Sequence, residues 1–196
     1  ATSQHNTLTL NGATIADSRM LGTFKKMAQT DVYDMVHTSN QSYGALRHER
    51  AVFRVKDGFF VVVDFALGSA QGSVELNWHF CPGDIVFSNG GDSYSCRTDF
   101  ADGNNMMFET FCFSGTSLTS DFTAKTGTSY TSSAIGTRSQ RPCCSIAVQK
   151  TADPVRFITI VHPFASDSDL PEISAVFNTA SRMTVTVDGE QYVLSL

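Results

Sequence analysis

Polar and apolar residues alternate with a period of two along most of this chain. The first such run covers residues 6–10 (NTLTL) and stops at Asn11-Gly12. Strict alternation predicts a strand with one buried face, and an Asn-Gly pair is a strong turn signal. Similar runs recur to the C-terminus with Gly-rich breaks between them, and no stretch predicts a long amphipathic helix. About a dozen short strands at this spacing predict an all-β fold, a single antiparallel β-sandwich domain.

Two Asp-Gly pairs predict β-hairpins. The first, Asp57-Gly58, joins residues 51–56 (AVFRVK) to residues 59–65 (FFVVVDF). The second, Asp188-Gly189, joins the last two predicted strands. Asp-Gly between strand-like runs favours the tight turns that connect antiparallel strands. Because residues 59–65 are nearly all apolar, this strand is predicted to be central and covered on both faces.

The run at residues 73–81 (SVELNWHFC) has two distinct faces. Its apolar face carries Leu76, Trp78 and Phe80, and its polar face carries Glu75, Asn77 and His79. Side chains of a strand point alternately to opposite faces. Trp78 is therefore predicted to lie in the core rather than to stack on a sugar, and His79 is predicted to be a hydrogen-bonded structural residue.

Later segments give weaker predictions. Residues 145–149 and 156–161 are both strand-like and are predicted to form a pair. A further strand is predicted over residues 118–125. The polar segment 127–140 (GTSYTSSAIGTRSQ) is predicted to be a long exposed loop.

The formal net charge of −5 weighs against a non-specific nucleic-acid binder, which would normally be basic. An acidic surface would also repel an anionic polysaccharide unless positive charge is concentrated locally. No apolar run approaches the roughly 20 residues of a membrane span.

The chain has five cysteines but no C-x-x-C pair, which excludes a zinc ribbon. Cys81 and Cys112 lie in apolar strand-like segments and are predicted to be buried. The adjacent Cys143 and Cys144 are predicted to point to opposite faces of a strand, so that a bond between them would be strained.

Four short elements occur in a recognisable order. They are residues 5–12 (HNTLTLNG), residues 48–53 (HERAVF) followed by residues 59–64 (FFVVVD), residues 79–83 (HFCPG), and residues 154–163 (PVRFITIVHP). In this order and spacing they resemble the C-terminal β-sandwich region of heparinase II/III-like polysaccharide lyases.

This resemblance implies a parent protein in which a helical toroid precedes a sandwich domain of the super-sandwich type. The implied reaction is β-elimination at a uronic acid. It requires a group that neutralises the uronate carboxylate, a base for the C5 proton and an acid for the departing glycosidic oxygen. Residues 1–196 are accordingly expected to be the C-terminal sandwich domain, with the toroid and the first sandwich strands upstream of Ala1.

The resemblance also implies a metal site, with zinc or another divalent ion in the full-length parent. Its ligands in the family are the second His of an H-x-H-x-D element, an Asp, and the His of the HNT element. This chain contains no H-x-H, so only His5 carries over as a metal ligand. The chain alone is expected to be inactive and to hold no metal.

His48, Arg50 and Tyr43 are the candidate substrate-binding residues. His48 and Arg50 are two positions apart and share one face of a strand, where they could contact an acidic sugar or pair across strands. Tyr43 lies in a loop-like stretch, and relatives in the family place a sandwich Tyr near the substrate. Asp64 ends a buried strand, where it could pair with Arg50 or Arg54.

Two other functions stay open: a non-catalytic carbohydrate-binding sandwich and a purely structural domain. The resemblance implies a uronate-containing glycan and the toroid as partners, and a periplasmic or secreted setting. Unpaired strand edges in an isolated chain predict a homodimer.

Overall fold

The computed structural model describes residues 1–15 and 22–196, with only the backbone described at position 42. The described chain is built from strands and two short 3-10 helices, Thr2–Gln4 and Asp167–Asp169. The strands are β1 Leu8–Leu10, β2 Thr23–Gln29, β3 Tyr33–Tyr43, β4 Leu46–Val55, β5 Phe59–Leu67, β6 Gly72–His79, β7 Ile85–Asn89, β8 Ser93–Thr98, β9 Asn105–Ser114, β10 Ser117–Leu118, β11 Thr123–Thr131, β12 Ser139–Lys150, β13 Val155–Phe164, β14 Ile173–Thr179, β15 Arg182–Val187 and β16 Glu190–Ser195. The predicted all-β fold is confirmed.

The strands form three antiparallel sheets. The central sheet has the order β2-β3-β4-β5-β13-β9-β8-β7, with β10 added beside β9. The outer sheet has the order β1-β6-β12-β11, and the C-terminal sheet has the order β14-β15-β16. The outer and C-terminal sheets cover opposite faces of the central sheet, so that the sandwich has three layers and two hydrophobic cores.

Strand β5 shows how one central sheet serves both cores. Val61, Val63 and Phe65 pack into the core under the C-terminal sheet. Val62 and Ala66, which point the other way, pack into the core under the outer sheet. A strand buried on both faces has no polar side, which explains the nearly unbroken apolar run and confirms the predicted central position.

Two of the predicted turns have the backbone conformation that their residues favour. Asn11 and Gly12 have φ angles of 52° and 67°, and Asp188 and Gly189 have φ angles of 50° and 84°. Positive φ at both central residues is the backbone of a type I′ turn, for which Asn-Gly and Asp-Gly are favoured. The predicted hairpin at residues 51–65 is also present, with Val55 opposite Phe59.

Two predictions were wrong, one of strand pairing and one of a loop. Residues 145–149 lie in β12, which pairs with β6 and β11, whereas residues 156–161 lie in β13 between β5 and β9. The segment 127–140 is not one long loop, because β11 and β12 pair from Thr123 to Thr131 and only residues 132–138 connect them. This hairpin has a solvated face and carries polar residues, which hid its alternation.

The cysteines divide between surface and core. Cys112 is buried as predicted, but Cys81 is exposed because β6 ends at His79, before it. Cys144 is buried and Cys143 is partly exposed, as expected for neighbours on opposite faces of β12. Among the described residues, no helix is both long and apolar enough to span a membrane.

Candidate functional site

The carboxylate of Asp64 organises the charged groups between the central sheet and the start of the chain. It is fully buried on β5. His48 Nε2 donates to Oδ1 at 2.6 Å, and Arg50 donates from Nε to Oδ1 at 2.7 Å and from Nη2 to Oδ2 at 3.0 Å. Burial opposes ionisation of Asp64, but Arg50 and His48 outweigh it and hold its pKa below the ordinary value. The predicted pairing of Asp64 with Arg50 is confirmed.

Arg50 connects this carboxylate to the N-terminal segment. Its Nη1 donates to the backbone carbonyl of Asn6 at 2.7 Å, and its guanidinium lies 5.6 Å from the ring centre of Trp78. The side-chain oxygen of Asn6 accepts from the backbone N–H of His79 at 2.8 Å. Asn6 is therefore bonded to the central sheet through its carbonyl and to the outer sheet through its side chain.

His79 holds the residues before His5. Its Nε2 lies 3.0 Å from the carbonyl of Ser3, and its Nδ1 lies 2.7 Å from the hydroxyl of Ser129. A carbonyl only accepts, so Nε2 carries the proton and Nδ1 accepts from Ser129. Burial lowers the pKa of His79 and favours this neutral form. The structural role predicted for His79 is confirmed.

Two further residues, Arg141 and Asn77, help to attach the segment around His5 to the outer sheet. Arg141 donates to the hydroxyl of Ser129 at 3.1 Å and to the carbonyl of Gln4 at 3.4 Å. The backbone N–H and the side-chain amide of Asn77 both donate to the carbonyl of Thr7, at 3.0 and 3.2 Å. Carbonyls on both sides of His5 are thus hydrogen-bonded, while His5 itself is exposed.

Asn77, Ser129 and Arg141 were not predicted as part of this site. Asn77 carried a weak signal, since it shares a face with His79. Ser129 and Arg141 fell in the segment predicted as a loop. They are opposite each other in the register of β11 and β12, and only that pairing brings them together.

The geometry at His5 does not by itself form a metal site. A closed zinc site needs about four ligands. Within residues 1–15 and 22–196, no group of three His, Cys, Asp or Glu side chains is placed to hold a metal ion. Both ring nitrogens of the nearby His79 are engaged in the hydrogen bonds above. The role of the exposed His5 as a metal ligand stays a prediction.

The candidate substrate-binding residues lie in different environments. His48 is buried against Asp64, and three of the five N–H groups of Arg50 are used in the bonds above. Tyr43 is half-buried at the end of β3, and its hydroxyl donates to the carbonyl of Ala13 at 2.9 Å. Burial is the main cause that raises the pKa of Tyr43. Their contact with substrate stays a prediction.

Comparison with known families decides the affiliation. Residues 1–154 match the family described as heparinase II/III-like, C-terminal. The chain belongs to this family. The match covers the anchored segment, which is residues 3–7 around His5, and the Asp64 cluster, which is Asp64 with His48 and Arg50. It confirms the resemblance seen in the sequence.

Relatives and solved structures agree with this affiliation. The heparin-sulfate lyase of Bacteroides stercoris is 31% identical over 198 residues, which are 97% of this chain and 28% of that protein. The heparin-sulfate lyase of Bacteroides thetaiotaomicron is 32% identical over 203 residues, 98% of this chain and 27% of that protein. The crystal structure of heparinase III superposes with a TM-score of 0.83 at 29% identity, covering 98% of this chain and 29% of that chain. A mutant heparan sulfate lyase from Pedobacter heparinus gives a TM-score of 0.84 at 25% identity, covering 100% and 30%.

The heparinase II/III-like sandwich thus spans less than a third of the length of the relatives it matches.

Proposed function

We propose that this chain is the sandwich part of a polysaccharide lyase that cleaves a uronic-acid-containing polysaccharide by β-elimination. The observation that carries the proposal is the anchored segment around His5. Within a sequence matched to heparinase II/III-like enzymes, side chains from β4, β6 and β12 hold the backbone on both sides of His5, which is itself exposed.

The chemistry of β-elimination assigns this chain an accessory part. Three functions are needed: neutralisation of the uronate carboxylate, removal of the C5 proton and protonation of the leaving oxygen. Of the site residues that the family resemblance implies, only His5 carries over to this chain. We therefore propose that a helical toroid upstream carries the reacting groups and that the isolated chain is inactive.

His5 contributes one ligand to a metal site shared with upstream residues. A neutral imidazole is a common zinc ligand, and exposure of His5 leaves it accessible to such an ion. When bound, zinc would cross-link this segment to the upstream chain, so that metal binding adds to the stability of the assembled protein.

Positive groups around the segment favour an anionic glycan despite the net charge of −5. Arg141 and Arg50 bond to its backbone, and Lys125 lines a cleft beside Ser3 and Gln4. A local cluster of positive charge attracts a polyanion even on an acidic protein.

Arg50 of this cluster, and Tyr43 at the end of β3, are proposed to contact the sugar. Buried His48 acts beside them by holding Asp64, which in turn orients Arg50.

The test uses the longer protein that contains this chain. The wild type is expected to raise ultraviolet absorbance, through unsaturated product, on at least one of heparin-, alginate- or chondroitin-type substrates. His5→Ala is expected to lower the zinc content measured by mass spectrometry, whereas the control His162→Ala keeps it. No absorbance rise on any of these polymers would overturn the proposed activity. Unchanged zinc content in His5→Ala would overturn the ligand role alone.

A non-catalytic sugar-binding domain makes a different prediction. The isolated chain would then retain glycan affinity, which calorimetry on residues 1–196 measures directly. A lyase part whose substrate groove lies mainly in a toroid predicts weak or no binding by the isolated chain.

The proposal also bears on the cellular location and the oligomeric state. An extracellular polymer as substrate favours a periplasmic or secreted enzyme. The predicted homodimer would use β2, the end strand of the central sheet, where Phe24 and Met27 are each 64% exposed. Sedimentation of wild type and Phe24→Lys tests this edge.

A further inference from the structure

Two cysteine sulfurs meet between the central and outer sheets. Cys96 on β8 and Cys144 on β12 place their Sγ atoms 3.3 Å apart. The two residues are 1% and 3% exposed, so this contact is inside the core and not at the surface. They are 48 positions apart in sequence and belong to different sheets.

The surrounding ladders fix the two backbones at this distance. Cys96 is opposite Phe108 and Phe87 in the central sheet, and Cys144 is opposite Trp78 in the outer sheet. The rings of Trp78 and Phe108 lie 5.4 Å apart, centre to centre, which shows that the two sheets touch beside the cysteines. Each sulfur is therefore directed at the other by a regular strand.

The remaining distance to a covalent bond is small. A disulfide has a sulfur–sulfur length of about 2.0 Å, so the pair must close by about 1.3 Å. Rotation about the Cα–Cβ bonds moves the sulfur atoms while the backbone stays in place.

The other cysteines serve as internal comparisons. Cys112 is equally buried in the same core, on β9, and Cys143 lies on the opposite face of β12 from Cys144. Cys81 is exposed.

We propose that Cys96 and Cys144 are oxidised to a disulfide that ties the outer sheet to the central sheet. The oxidant is a small disulfide of the glutathione class. One cysteine thiolate attacks it, forming a mixed disulfide and releasing one glutathione thiolate. The second cysteine thiolate then attacks the mixed disulfide and releases the other. Two electrons and two protons pass from the cysteines to two glutathione thiols.

The bond forms during folding rather than in the finished core. The hydrogen bond with Cys144, together with burial, raises the pKa of Cys96, so the reactive thiolate is scarce once the sheets have closed. Before closure both thiols are accessible. Cross-linking residues 48 positions apart then restricts the unfolded chain and stabilises the fold.

The experiment refolds the reduced, unfolded 196-residue chain with a reduced and oxidised glutathione mixture, and in parallel with a phosphine reductant. The glutathione sample is expected to be about 2 Da lighter than the fully reduced protein and to keep three alkylatable thiols, because two hydrogens leave with the bond. Digestion after Tyr94 and Arg97 should release residues 95–97 linked to a peptide that contains Cys144, and a Cys143→Ala background assigns the second partner.

Thermal unfolding supplies the matched comparison. The melting temperature should be higher in the oxidised sample by about 5–15 °C. Cys96→Ala and Cys144→Ala should each abolish this difference, and Cys112→Ala should preserve it at a lower absolute temperature. Five alkylatable thiols after refolding, or a cross-link to Cys81 or Cys143 instead, would overturn the proposal. Loss of the redox difference in Cys112→Ala would overturn it as well.

Discussion

Replacing Asp64 with asparagine measures how much the buried carboxylate contributes to the fold. The carboxylate accepts hydrogen bonds from His48 and, at two atoms, from Arg50. Asparagine preserves the shape, but it removes the charge and turns an NH₂ group toward these donors. Arg50, whose side chain is 22% exposed, then keeps a largely buried positive charge without its counter-ion. Removing one partner of a buried pair costs about 3–5 kcal/mol, which is the expected loss in the free energy of unfolding.

Asp34→Asn provides a control of the same chemistry. Asp34 accepts from Arg54 at 2.7 Å across β3 and β4 of the same sheet, but these side chains are 28% and 59% exposed. Exposed pairs contribute about 0.2–1 kcal/mol, so the control is expected to lose less than about 1 kcal/mol. Urea unfolding at pH 7 measures both variants. Equal losses for Asp64→Asn and Asp34→Asn would refute the reasoning, because burial is the main difference between the two pairs.

The pH dependence gives an independent check on Asp64. Its pKa in the folded chain is lowered from the ordinary 3.8. The unfolded chain therefore binds this proton first as the pH falls. The stabilisation is complete above the unfolded pKa and is lost as the pH falls through the folded pKa. The difference in unfolding free energy between wild type and Asp64→Asn should stay level from pH 7 to about pH 5 and shrink below about pH 4.

Three further tests, each by substitution, probe other parts of the structure. Burial lowers the pKa of His79, so the free energy of unfolding of the wild type should decrease as the pH falls below 6.5. Urea unfolding at pH 7.5 and 5.0 should show a smaller decrease for His79→Gln and the same decrease as the wild type for the control His162→Gln. The hydroxyls of Thr110 and Thr159 lie 3.0 Å apart in the buried centre of the central sheet. Replacing either with Val should lower the free energy of unfolding by about 1–3 kcal/mol, and the double variant should lose less than the sum of the two. Additive losses would contradict the pairing. Gly68 has a φ of +97°, and an added Cβ would lie 2.3 Å from a backbone carbonyl oxygen; Gly68→Ala should therefore lose about 2–3 kcal/mol in the same assay, and a neutral effect would show that the turn relaxes freely.

The sequence by itself determined the all-β class and the hairpins. Alternation reports the burial of each strand's two faces, and Asn-Gly and Asp-Gly report the positive φ of tight turns. Both properties belong to a few consecutive residues. For the same reason the run at residues 59–65 revealed a strand covered on both sides before its neighbours were known.

The residues near His5 show what local sequence patterns do not predict. The HNT element and its family were recognisable in sequence, and the pairing of Asp64 with Arg50 was among the alternatives. The attachment of this segment by Asn77, Ser129 and Arg141 was not predicted. Ser129 and Arg141 face each other only because β11 pairs with β12, and Arg141 reaches Gln4 only because that hairpin joins β6.

Only the tertiary structure decided the three-layer arrangement and the partners of each strand. β12 and β13 follow each other in sequence but lie in different sheets, with residues 151–154 crossing between them. Alternation states that a face is buried, but it does not state against which sheet. The contact of Cys96 with Cys144 depends on that choice, because packing two separate ladders against each other brings together residues 48 positions apart.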